Sequence, residues 1–471
     1  MTKLKIIHWF RQDLRLSDNP ALYEAASNGD VFPIYILDDT NAKDYKMGWA
    51  SRFWLHHSLT SLNKSLGGKL SIYCGDPSQI ISDLCSRHNI SKVFWNRCYE
   101  PWRIARDTRI KEHLKSLSIN VESHNGSLLW EPWTISKEDG TPYKVFTPFY
   151  RKGCLSAPYP RNPLSEPDNV NFIRDDTGTL SIDDLQLLPT IAWDKKMAGY
   201  WEFGEIAAKD CLIRFLESGI IDYKEGRNYP AKKFVSRLSP YLHFGEISPN
   251  QVWYAIKQLS DNINTDHFCS ELGWREFSYS QLYYNPELSK KNLQAKFDAF
   301  PWQENDEKLL AWQKGLTGIP MVDAGMRELW ETGYMHNRVR MIVGSFLVKN
   351  LLLDWRLGEH WFWDCLVDAD LANNSSSWQW VAGCGADAAP YFRIFNPVTQ
   401  GEKFDPDGEY IRHYLPELKN LPTRYLFSPW EAPTSILANA GVELGVNYPN
   451  PIVDLSLSRE QALAAFASLK G

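Results

Sequence analysis

The strongest constraint on the fold lies in the first 125 residues, where short apolar runs alternate with amphipathic stretches. Such alternation is typical of strands and helices that follow one another along the chain. Asn19-Pro20 and Asp76-Pro77 each place an N-cap residue before a proline at the first helical position. The pattern therefore predicts a doubly wound parallel sheet, whose ligands normally lie at the carboxyl ends of the strands. Strands are predicted near 4–9, 31–37, 69–73, 92–95 and 120–123, and helices near 20–27, 51–66, 77–87 and 103–117.

The composition and periodicity of the sequence change near residue 129 and again near residue 199. Residues 129–198 are rich in Pro, Asp, Ser and Thr with little periodicity, which is typical of a long surface connector. From residue 199 onward nearly every segment has helical spacing. We therefore predict an α/β N-terminal domain (1–128), an interdomain connector (129–198) and an all-helical C-terminal domain (199–471). The clearest predicted helices of the last domain are 201–218, 249–259, 266–282, 321–332 and 338–352.

Charge and cysteine usage bound the classes of function. The chain carries 51 Lys+Arg against 57 Asp+Glu, a net charge of -6, so any nucleic-acid contact must come from a local basic patch. Eight cysteines without a C-x-x-C pair disfavour a zinc site and a disulfide framework. The early charges at Lys3, Lys5 and Arg11 argue against a signal peptide, and no apolar run is long enough for a membrane span. We expect a cytoplasmic, soluble monomer without a metal.

Several common chemistries lack their sequence signatures. The first strand is not followed by G-x-G-x-x-G, and no G-x-x-x-x-G-K-[ST] occurs in the chain. Residues Trp9 to Arg15 occupy the first turn instead, without the glycines that let backbone amides approach a diphosphate. H-E-x-x-H and G-x-S-x-G are also missing, which disfavours metalloprotease and α/β-hydrolase chemistry.

A basic loop between Tyr223 and Pro240 is the first candidate site. Five basic residues against one acid give this stretch a charge of +4. Hydroxyls and backbone amides in such a setting can bind a phosphate. The alternative interpretation is a solvated loop followed by a helix N-cap.

Two further segments combine aromatic rings with polar side chains. Residues 368–380 contain carboxylates, amides and hydroxyls between aromatic residues, which suits a loop that binds a polar ligand. Ordinary helix capping is the alternative, and the spacing of the acids does not suit a metal. In the other segment, helical spacing sets Glu271, Trp274 and Arg275 along one side, where they can recognise a base. A salt-bridged core helix is the simpler interpretation there.

Tryptophan is the third feature, with 20 residues in the chain and eight of them between positions 302 and 380. Trp302, Trp355 and Trp378 are far apart in sequence but can form a row once helices pack, and a row of indoles can relay an electron. Filling of a large helical core is the alternative use of these side chains.

These segments, in this order and after Trp9 to Arg15, resemble the photolyase/cryptochrome family, specifically its cyclobutane pyrimidine dimer photolyases. The resemblance covers essentially the whole chain and is strongest from Asp368 to Asp405, which includes Asp387 to Pro397. It implies non-covalent FAD in the helical domain and a second, antenna chromophore in the α/β domain.

Carried over by position, the resemblance implies a set of flavin contacts. Ser236 and Ser239 match residues near the phosphates, Arg340 matches the partner of the aspartate, and Asn374 matches the residue that faces flavin N5. An amide at that position accepts a hydrogen bond from protonated N5 and favours reduced flavin. The implied cofactor-binding residues are Tyr223, Ser236, Arg237, Leu238, Ser239, Arg275, Asn337, Arg340, Asp368, Asp370 and Asn374.

The resemblance also implies a lesion site and a reaction. Glu271, Trp274, Met341 and Trp380 match lesion contacts, and Arg227 and Arg338 match DNA contacts, so UV-damaged DNA is the expected partner. Excited reduced flavin gives one electron to a flipped pyrimidine dimer, the cyclobutane ring splits, and the electron returns. Trp302, Trp355 and Trp378 match the chain that photoreduces oxidised flavin, and with Asn374 and Glu271 they form the expected catalytic set.

Two departures from the family pattern affect the cofactors. Most members begin the phosphate loop with Thr-Ser, whereas Val235 precedes Ser236 here and lacks the first hydroxyl. The stretch Arg97 to Arg103 does not reproduce the Asn-Glu pair of the folate-binding members. We expect 5,10-methenyltetrahydrofolate as the antenna, with a deazaflavin or a flavin as alternatives.

Three other functions compete with dimer repair. A cryptochrome-type blue-light photoreceptor shares the fold, but both lesion-side tryptophans, Trp274 and Trp380, are present here. A (6-4) photolyase places a histidine pair at the lesion, whereas this chain has Met341 at one position and only His336 nearby. A flavoprotein oxidoreductase would want a nicotinamide site, whose glycine fingerprint is missing.

Overall fold

The computed structural model describes residues 4–388 and 392–470, so Ala389 to Tyr391 of the Asp387 to Pro397 stretch lie outside the described residues. Contacts divide the chain into two units. The first unit comprises Met1–Ser218, Ser236–Pro286 and Val367–Ala372. The second unit comprises Gly219–Val235, Glu287–Leu366 and Asn373–Gly471.

A five-stranded parallel sheet is the centre of the first unit and confirms the predicted fold class. Its strand order is β3-β2-β1-β4-β5, and Ile7 of the middle strand lies opposite Phe32 and Val93. Apolar side chains on this sheet are almost fully buried, as expected for strands covered on both faces. The strands are β1 (Lys5–Phe10), β2 (Asp30–Leu37), β3 (Ser71–Cys74), β4 (Lys92–Asn96) and β5 (Asn120–His124).

The helices begin where the capping signals predict. The side chain of Asn19 accepts a hydrogen bond from the amide of Leu22 at 3.1 Å, and that of Asp76 accepts from the amide of Ser78 at 3.1 Å. In the described ranges the α-helices are α1 (Pro20–Asn28), α2 (Asp39–Ala42), α3 (Trp49–Ser65), α4 (Pro77–His88), α5 (Pro101–Ser116), α6 (Phe146–Pro148), α7 (Asp194–Ala198), α8 (Gly204–Glu217), α9 (Tyr223–Gly226), α10 (Ser239–Phe244), α11 (Pro249–Lys257), α12 (Ile263–Tyr284), α13 (Asp306–Gln313), α14 (Pro320–Thr332), α15 (Asn337–Ser345), α16 (Trp355–Cys365), α17 (Leu371–Ala382), α18 (Pro397–Phe404), α19 (Glu409–Tyr414), α20 (Thr423–Leu426), α21 (Thr434–Ala440) and α22 (Leu455–Ala467).

The stretch 129–198 has little secondary structure of its own, and a part of it near residues 171–180 pairs with the sheet. Phe172 forms an isolated bridge with Val31 of β2, and Leu180 forms one with Ile72 of β3. These backbone hydrogen bonds satisfy strand groups that would otherwise lie at an open edge. These two bridges attach this part of the chain to the sheet of the first unit.

The predicted helix at 338–352 is divided in the structure. Its α-helical part ends at Ser345, and a π-helical turn, Phe346–Asn350, follows. The amide of Leu351 bonds the carbonyl of Phe346 at 3.0 Å, a wider spacing than the α-helical one. The apolar pattern of the sequence does not distinguish an α-helical turn from a π-helical turn here, because both segments bury apolar side chains.

The part of the chain that the structure describes contains no helix with the length and apolarity of a bilayer-spanning segment. All eight cysteines are free thiols.

Candidate functional site

The loop Ser236 to Ser239 has a backbone suited to an anion. Arg237 has a φ of 53°, in the left-handed region, and Leu238 follows with a φ of −81°. A residue pair whose φ angles alternate in sign turns successive N–H groups toward one concavity, which is a frequent anion site. The hydroxyl of Ser239 donates to Oδ2 of Asp368 at 2.6 Å. The loop and Asp368 are thus brought together within the first unit.

Asp370 is a buried carboxylate in the same unit. The hydroxyl of Tyr279 donates to it, and Nδ1 of His243 lies 3.6 Å from its Oδ2. Burial alone would raise the pKa of Asp370, but the contact with His243 and the charge of Arg275 lower it to about 2. This carboxylate therefore remains ionised at neutral pH.

Tyr279 and His243, the partners of Asp370, were not predicted from the sequence, although their helical spacing pointed to both. Tyr279 lies four residues after Arg275 on α12, and His243 lies four residues after Ser239 on α10, so each shares a helix face with a predicted residue. The guanidinium of Arg275 lies 5.0 Å from the ring of Tyr279 and donates to the carbonyl of Ser127 at 2.8 Å.

Glu271 and Trp274 lie on α12, as the spacing predicted. The indole of Trp274 stacks on the ring of Phe146, with centroids 3.8 Å apart and planes 10° from parallel. The carboxylate of Glu271 is partly exposed and lies 3.7 Å from Nε2 of His267. Phe146 thus fixes one face of the indole, a contact between residues 128 positions apart that no local pattern predicts.

Asn374 has a fixed orientation on α17 in the second unit. Its Nδ2 donates to the backbone carbonyl of Glu359 at 3.0 Å, which leaves Oδ1 as the acceptor of the amide. The hydroxyl of Ser375 donates to the Glu359 carboxyl group. Burial raises the pKa of Glu359 to about 8, so this carboxyl group is mostly protonated and uncharged at pH 7.

The three predicted relay tryptophans all lie in the second unit and differ in burial. Trp378 is 4% exposed, Trp355 is fully buried, and Trp302 is partly exposed. A Cβ on Gly358 would lie 2.2 Å from Cη2 of Trp378, so this glycine allows the indole to pack directly against α16. The amide of Gln303 bonds the carbonyl of Leu352 at 2.8 Å and so joins the segments that carry Trp302 and Trp355.

Two arginines predicted to contact DNA lie close to each other. The guanidinium of Arg338 donates to the side chain of Asn228 and lies 4.4 Å from the ring of Phe404, and that of Arg227 lies 5.3 Å from the ring of Tyr223. Burial and the positive charge of Arg227 lower the pKa of Arg338. Tyr223, a predicted flavin contact, is buried and serves here as the platform for Arg227.

The remaining predicted residues of the second unit lie on α15 and α17. Nη1 of Arg338 lies 3.9 Å from the sulfur of Met341, one turn later on the helix. Nε of Arg340 donates to the carbonyl of Met335 at 2.7 Å, and Asn337 is exposed at the start of α15. The indole nitrogen of Trp380 donates to the carbonyl of Asp387 at 3.1 Å.

The predicted site residues are therefore distributed over both units. Contacts bring Ser239 to Asp368 within the first unit, and Arg338 to Met341 within the second. The first unit carries Ser236, Arg237, Leu238, Ser239, Glu271, Trp274, Arg275, Asp368 and Asp370, and the second carries Tyr223, Arg227, Trp302, Asn337, Arg338, Arg340, Met341, Trp355, Asn374, Trp378 and Trp380.

Comparison with known proteins defines the class of this chain. Residues 6–168 match the family model described as DNA photolyase, and residues 268–468 match the FAD-binding domain of DNA photolyase. A deoxyribodipyrimidine photo-lyase of Agrobacterium fabrum is 47% identical over 99% of this chain and 98% of its own length. The chain belongs to the DNA photolyase family, and the predictions of that family and of a photolyase enzyme are confirmed.

Two other matches show the range of the relatives. A bacterial class III photolyase structure from Agrobacterium tumefaciens superimposes with a TM-score of 0.95 at 46% identity, over 100% of this chain and 98% of that one. Cryptochrome-2 of Arabidopsis thaliana is 40% identical over 97% of this chain and 78% of its own length. The matches to the two photolyase family models confirm the prediction of a flavoprotein of DNA repair.

In each unit, taken by itself, residues suit one chemical group of FAD. The alternating φ angles at Arg237 and Leu238 suit a diphosphate. The Oδ1 acceptor of Asn374, fixed by the Glu359 carbonyl, suits a protonated ring nitrogen.

Proposed function

We propose that this chain repairs cyclobutane pyrimidine dimers in UV-damaged DNA in a light-driven reaction that needs reduced FAD. The observation that carries the proposal is the composition of α17. This one helix presents Asn374 with its acceptor oxygen free for an N–H donor, Trp378 one turn later, and Trp380 at its far end. A flavin contact, a redox-active ring and a lesion contact thus share one rigid element.

FAD, when bound in its reduced form, supplies one light-excited electron and takes it back after the cyclobutane bonds have broken. The chain holds this cofactor through the loop Ser236 to Ser239, Asp368 and Asp370 in the first unit. In the second unit we assign Tyr223, Asn337, Arg340 and Asn374 to it. Asp370 stays ionised at neutral pH, and the Asn374 acceptor holds a proton at the ring nitrogen.

Lesion recognition follows from stacking and from phosphate contacts. We assign Trp274 and Trp380 to the faces of the flipped bases, Glu271 to their polar edge, and Met341 to the rim. The contact between Phe146 and Trp274 supports this role because it holds the indole in one orientation. Arg227 and Arg338 bind backbone phosphates, which gives affinity for DNA in spite of the net negative charge of the chain.

The photoreduction chain runs in our proposal from Trp378 through Trp355 to Trp302. The increase in exposure from Trp355 to Trp302 supports a path toward solvent. The indole nitrogen of Trp355 donates to Oδ1 of Asn292 at 2.9 Å. An oxidised indole is a stronger acid, so this acceptor can stabilise the charge that passes through Trp355.

The chemistry of His336 favours dimer repair over (6-4) repair. Its Nδ1 accepts a hydrogen bond from the amide of Arg338 at 3.2 Å and caps α15. Burial and the charges of Arg227, Arg338 and Arg340 lower the pKa of His336 to about 3. A histidine that is neutral at physiological pH is a poor proton donor, and Met341 occupies the other position.

For the antenna we propose 5,10-methenyltetrahydrofolate in the α/β region. Arg11 binds Asp107, and Arg106 binds Asp38 at 3.0 Å and Asp107 at 2.8 Å, with both guanidinium groups 4.8 Å from the ring of Trp9. Arg11 follows β1 and Asp38 follows β2, so these ion pairs lie at the carboxyl ends of two strands, where ligands of such sheets normally bind. Mass identification of the released chromophores tests this choice.

The proposed function is tested with defined oligonucleotides that carry a cyclobutane dimer, a (6-4) photoproduct or no lesion. Under blue light, protein with reduced flavin should restore only the cyclobutane dimer, measured by chromatography of the products, and should restore nothing in darkness. Repair of the (6-4) product would assign the chain to the other enzyme class. Flavin photoreduction without any repair would indicate a cryptochrome-type photoreceptor.

A further inference from the structure

Two side chains outside the predicted site hold the loop Ser236 to Ser239 from behind. Cζ of Arg237 lies 4.4 Å from the ring of Trp201, and the thiol of Cys211 donates to the carbonyl of Ser236 at 3.1 Å. Trp201 lies just before α8, and Cys211 lies on it. We propose that Trp201 and Cys211 are positioning residues for FAD, because they fix the loop conformation that binds its diphosphate; the inference rests on the proposed role of this loop.

The backbone of Arg237 is the reason why the loop needs support. A residue other than glycine rarely adopts a positive φ, and a long side chain at such a position is held there by its surroundings. The indole of Trp201 holds the Arg237 side chain in place, because a guanidinium over an aromatic face gains cation–π and stacking energy. The contact therefore favours the left-handed conformation that directs the following amides into one concavity.

The platform under Arg237 is itself rigid. Trp201 is 8% exposed and packs edge-to-face on Trp54, with ring centroids 5.1 Å apart. The indole nitrogen of Trp54 donates to Glu246 at 3.0 Å, and Trp54 also packs edge-to-face on Tyr241 of α10 at 5.2 Å. The ring of Trp54 thus contacts both α10, which begins with Ser239, and the indole that supports Arg237.

Cys211 acts on the residue before Arg237. Its thiol contact fixes the carbonyl of Ser236, and the hydroxyl of Ser236 accepts a hydrogen bond from the amide of Leu238 at 3.4 Å. Burial raises the pKa of Cys211, so the group remains a thiol that donates rather than a thiolate. This support offsets the lost hydroxyl at Val235, since a loop with fewer direct contacts depends more on its preset backbone.

The test measures the cofactor in the holoprotein. Cys211→Ala removes the donor to Ser236, and Cys211→Ser restores a donor of similar size. Trp201→Leu removes the platform under Arg237. We expect release of FAD, followed by the fluorescence of free flavin, to be at least tenfold faster in Trp201→Leu and several-fold faster in Cys211→Ala, with recovery in Cys211→Ser.

Trp253→Leu is the matched control for Trp201→Leu. Trp253 is 1% exposed in the same unit and carries a Lys257 amine 5.4 Å from its ring, but it does not contact the loop. Its FAD release should stay within twofold of the wild-type rate. Trp201→Leu could fail to fold, and in that case the Cys211 pair still decides the question.

Phosphorus NMR of bound FAD separates a positioning role from a general loss of stability. In Cys211→Ala and Trp201→Leu the diphosphate signals should shift or broaden while the visible spectrum of the ring system stays the same. Suppose that the wild type binds FAD and repairs dimers. If the variants then show unchanged phosphorus signals and unchanged FAD release, this inference is overturned and the proposed function is not. A wild type that binds no FAD would overturn the proposed function instead.

Discussion

Asp107 at the carboxyl edge of the sheet and Glu359 beside α17 are both buried carboxyl groups, but they are kept in opposite charge states. At the sheet edge, Asp107 lies between Arg11 and Arg106, whose guanidinium groups lower its pKa although burial opposes this. Within residues 4–388 and 392–470, no lysine or arginine donates a hydrogen bond to the Glu359 carboxyl group beside α17, and burial raises the pKa of this group to about 8. One carboxyl group is held as an ion by its two guanidinium partners, and the other is kept neutral by burial.

This difference shows two uses of burial. Paired buried charges give a rigid scaffold that is costly to disturb when one partner is removed. The buried neutral carboxyl group of Glu359 adds no charge of its own, and this residue orients its neighbours through hydrogen bonds, Asn374 at the backbone carbonyl and Ser375 at the carboxyl group. Of the four predictions below, those on Asp107 and Glu359 test this contrast, and the other two test the proposed roles of Trp378 and of the two arginines; the largest expected effect comes first.

Breaking the ion network at the sheet edge should have the largest effect on stability. Asp107→Asn leaves the buried guanidinium of Arg11 without its anion and that of Arg106 with Asp38 alone, and we expect a loss of roughly 3–5 kcal/mol in the free energy of unfolding. Asp266→Asn is the matched control, because Asp266 pairs with Arg151 at 2.6 Å but both side chains are about half exposed. Its loss should stay under about 1 kcal/mol in denaturant unfolding. Equal losses in the two variants would refute the contrast.

Replacing Trp378 by Phe should slow photoreduction of oxidised flavin by at least tenfold, because the benzene ring is much harder to oxidise than the indole. Repair by chemically reduced protein should remain close to wild type. Flash photolysis measures the first rate and product chromatography the second.

Trp312→Phe provides the control for that experiment. Trp312 is equally buried, with its ring 6.2 Å from Trp378, and lies outside the proposed chain. Its photoreduction should stay within twofold of wild type. A parallel fall of photoreduction and repair in Trp378→Phe would remove Trp378 from the relay.

Glu359 makes a prediction about pH. Its pKa of about 8 in the folded chain lies above the ordinary value of 4.5, so the folded state holds a proton that the unfolded state releases. Stability from this group therefore falls as pH rises from about 4.5 to 8. Glu359→Gln has no such proton, and its unfolding free energy should gain on wild type by about 1.4 kcal/mol per pH unit in this window.

Urea unfolding at several pH values measures this difference. Glu287→Gln, at an exposed position paired with Lys291, is the control and should show a constant offset. A constant offset for Glu359→Gln as well would mean that Glu359 is already ionised in the folded chain across this window.

Arg227→Ala and Arg338→Ala should have the smallest effect, a several-fold loss of DNA affinity. Each removes one phosphate contact, so the slope of log affinity against log salt should fall by about 0.9 per variant. Fluorescence anisotropy with a dimer-containing duplex measures both quantities. Lys291→Ala, which removes an exposed charge outside the site, should leave the slope unchanged. A slope unchanged in the arginine variants would place the DNA elsewhere.

The strands and helices were predicted well from the sequence, because local periodicity and capping residues determine them. All five strands and the first helices lie within a few residues of their predicted bounds, and the spacing of Asn374, Trp378 and Trp380 follows directly from one helix. Contacts between distant segments were not predicted. The stack of Phe146 on Trp274 and the contact of Trp201 with Arg237 depend on packing, and no local pattern encodes them.

The most direct test of the account is a single-flash experiment on protein with reduced flavin bound to a dimer-containing oligonucleotide, without added reductant. We predict that each productive flash restores one pyrimidine pair and leaves the flavin reduced, so that further flashes give further repair. Repair in darkness, or flavin that becomes oxidised in proportion to the repaired dimers, would contradict a reaction in which the electron returns.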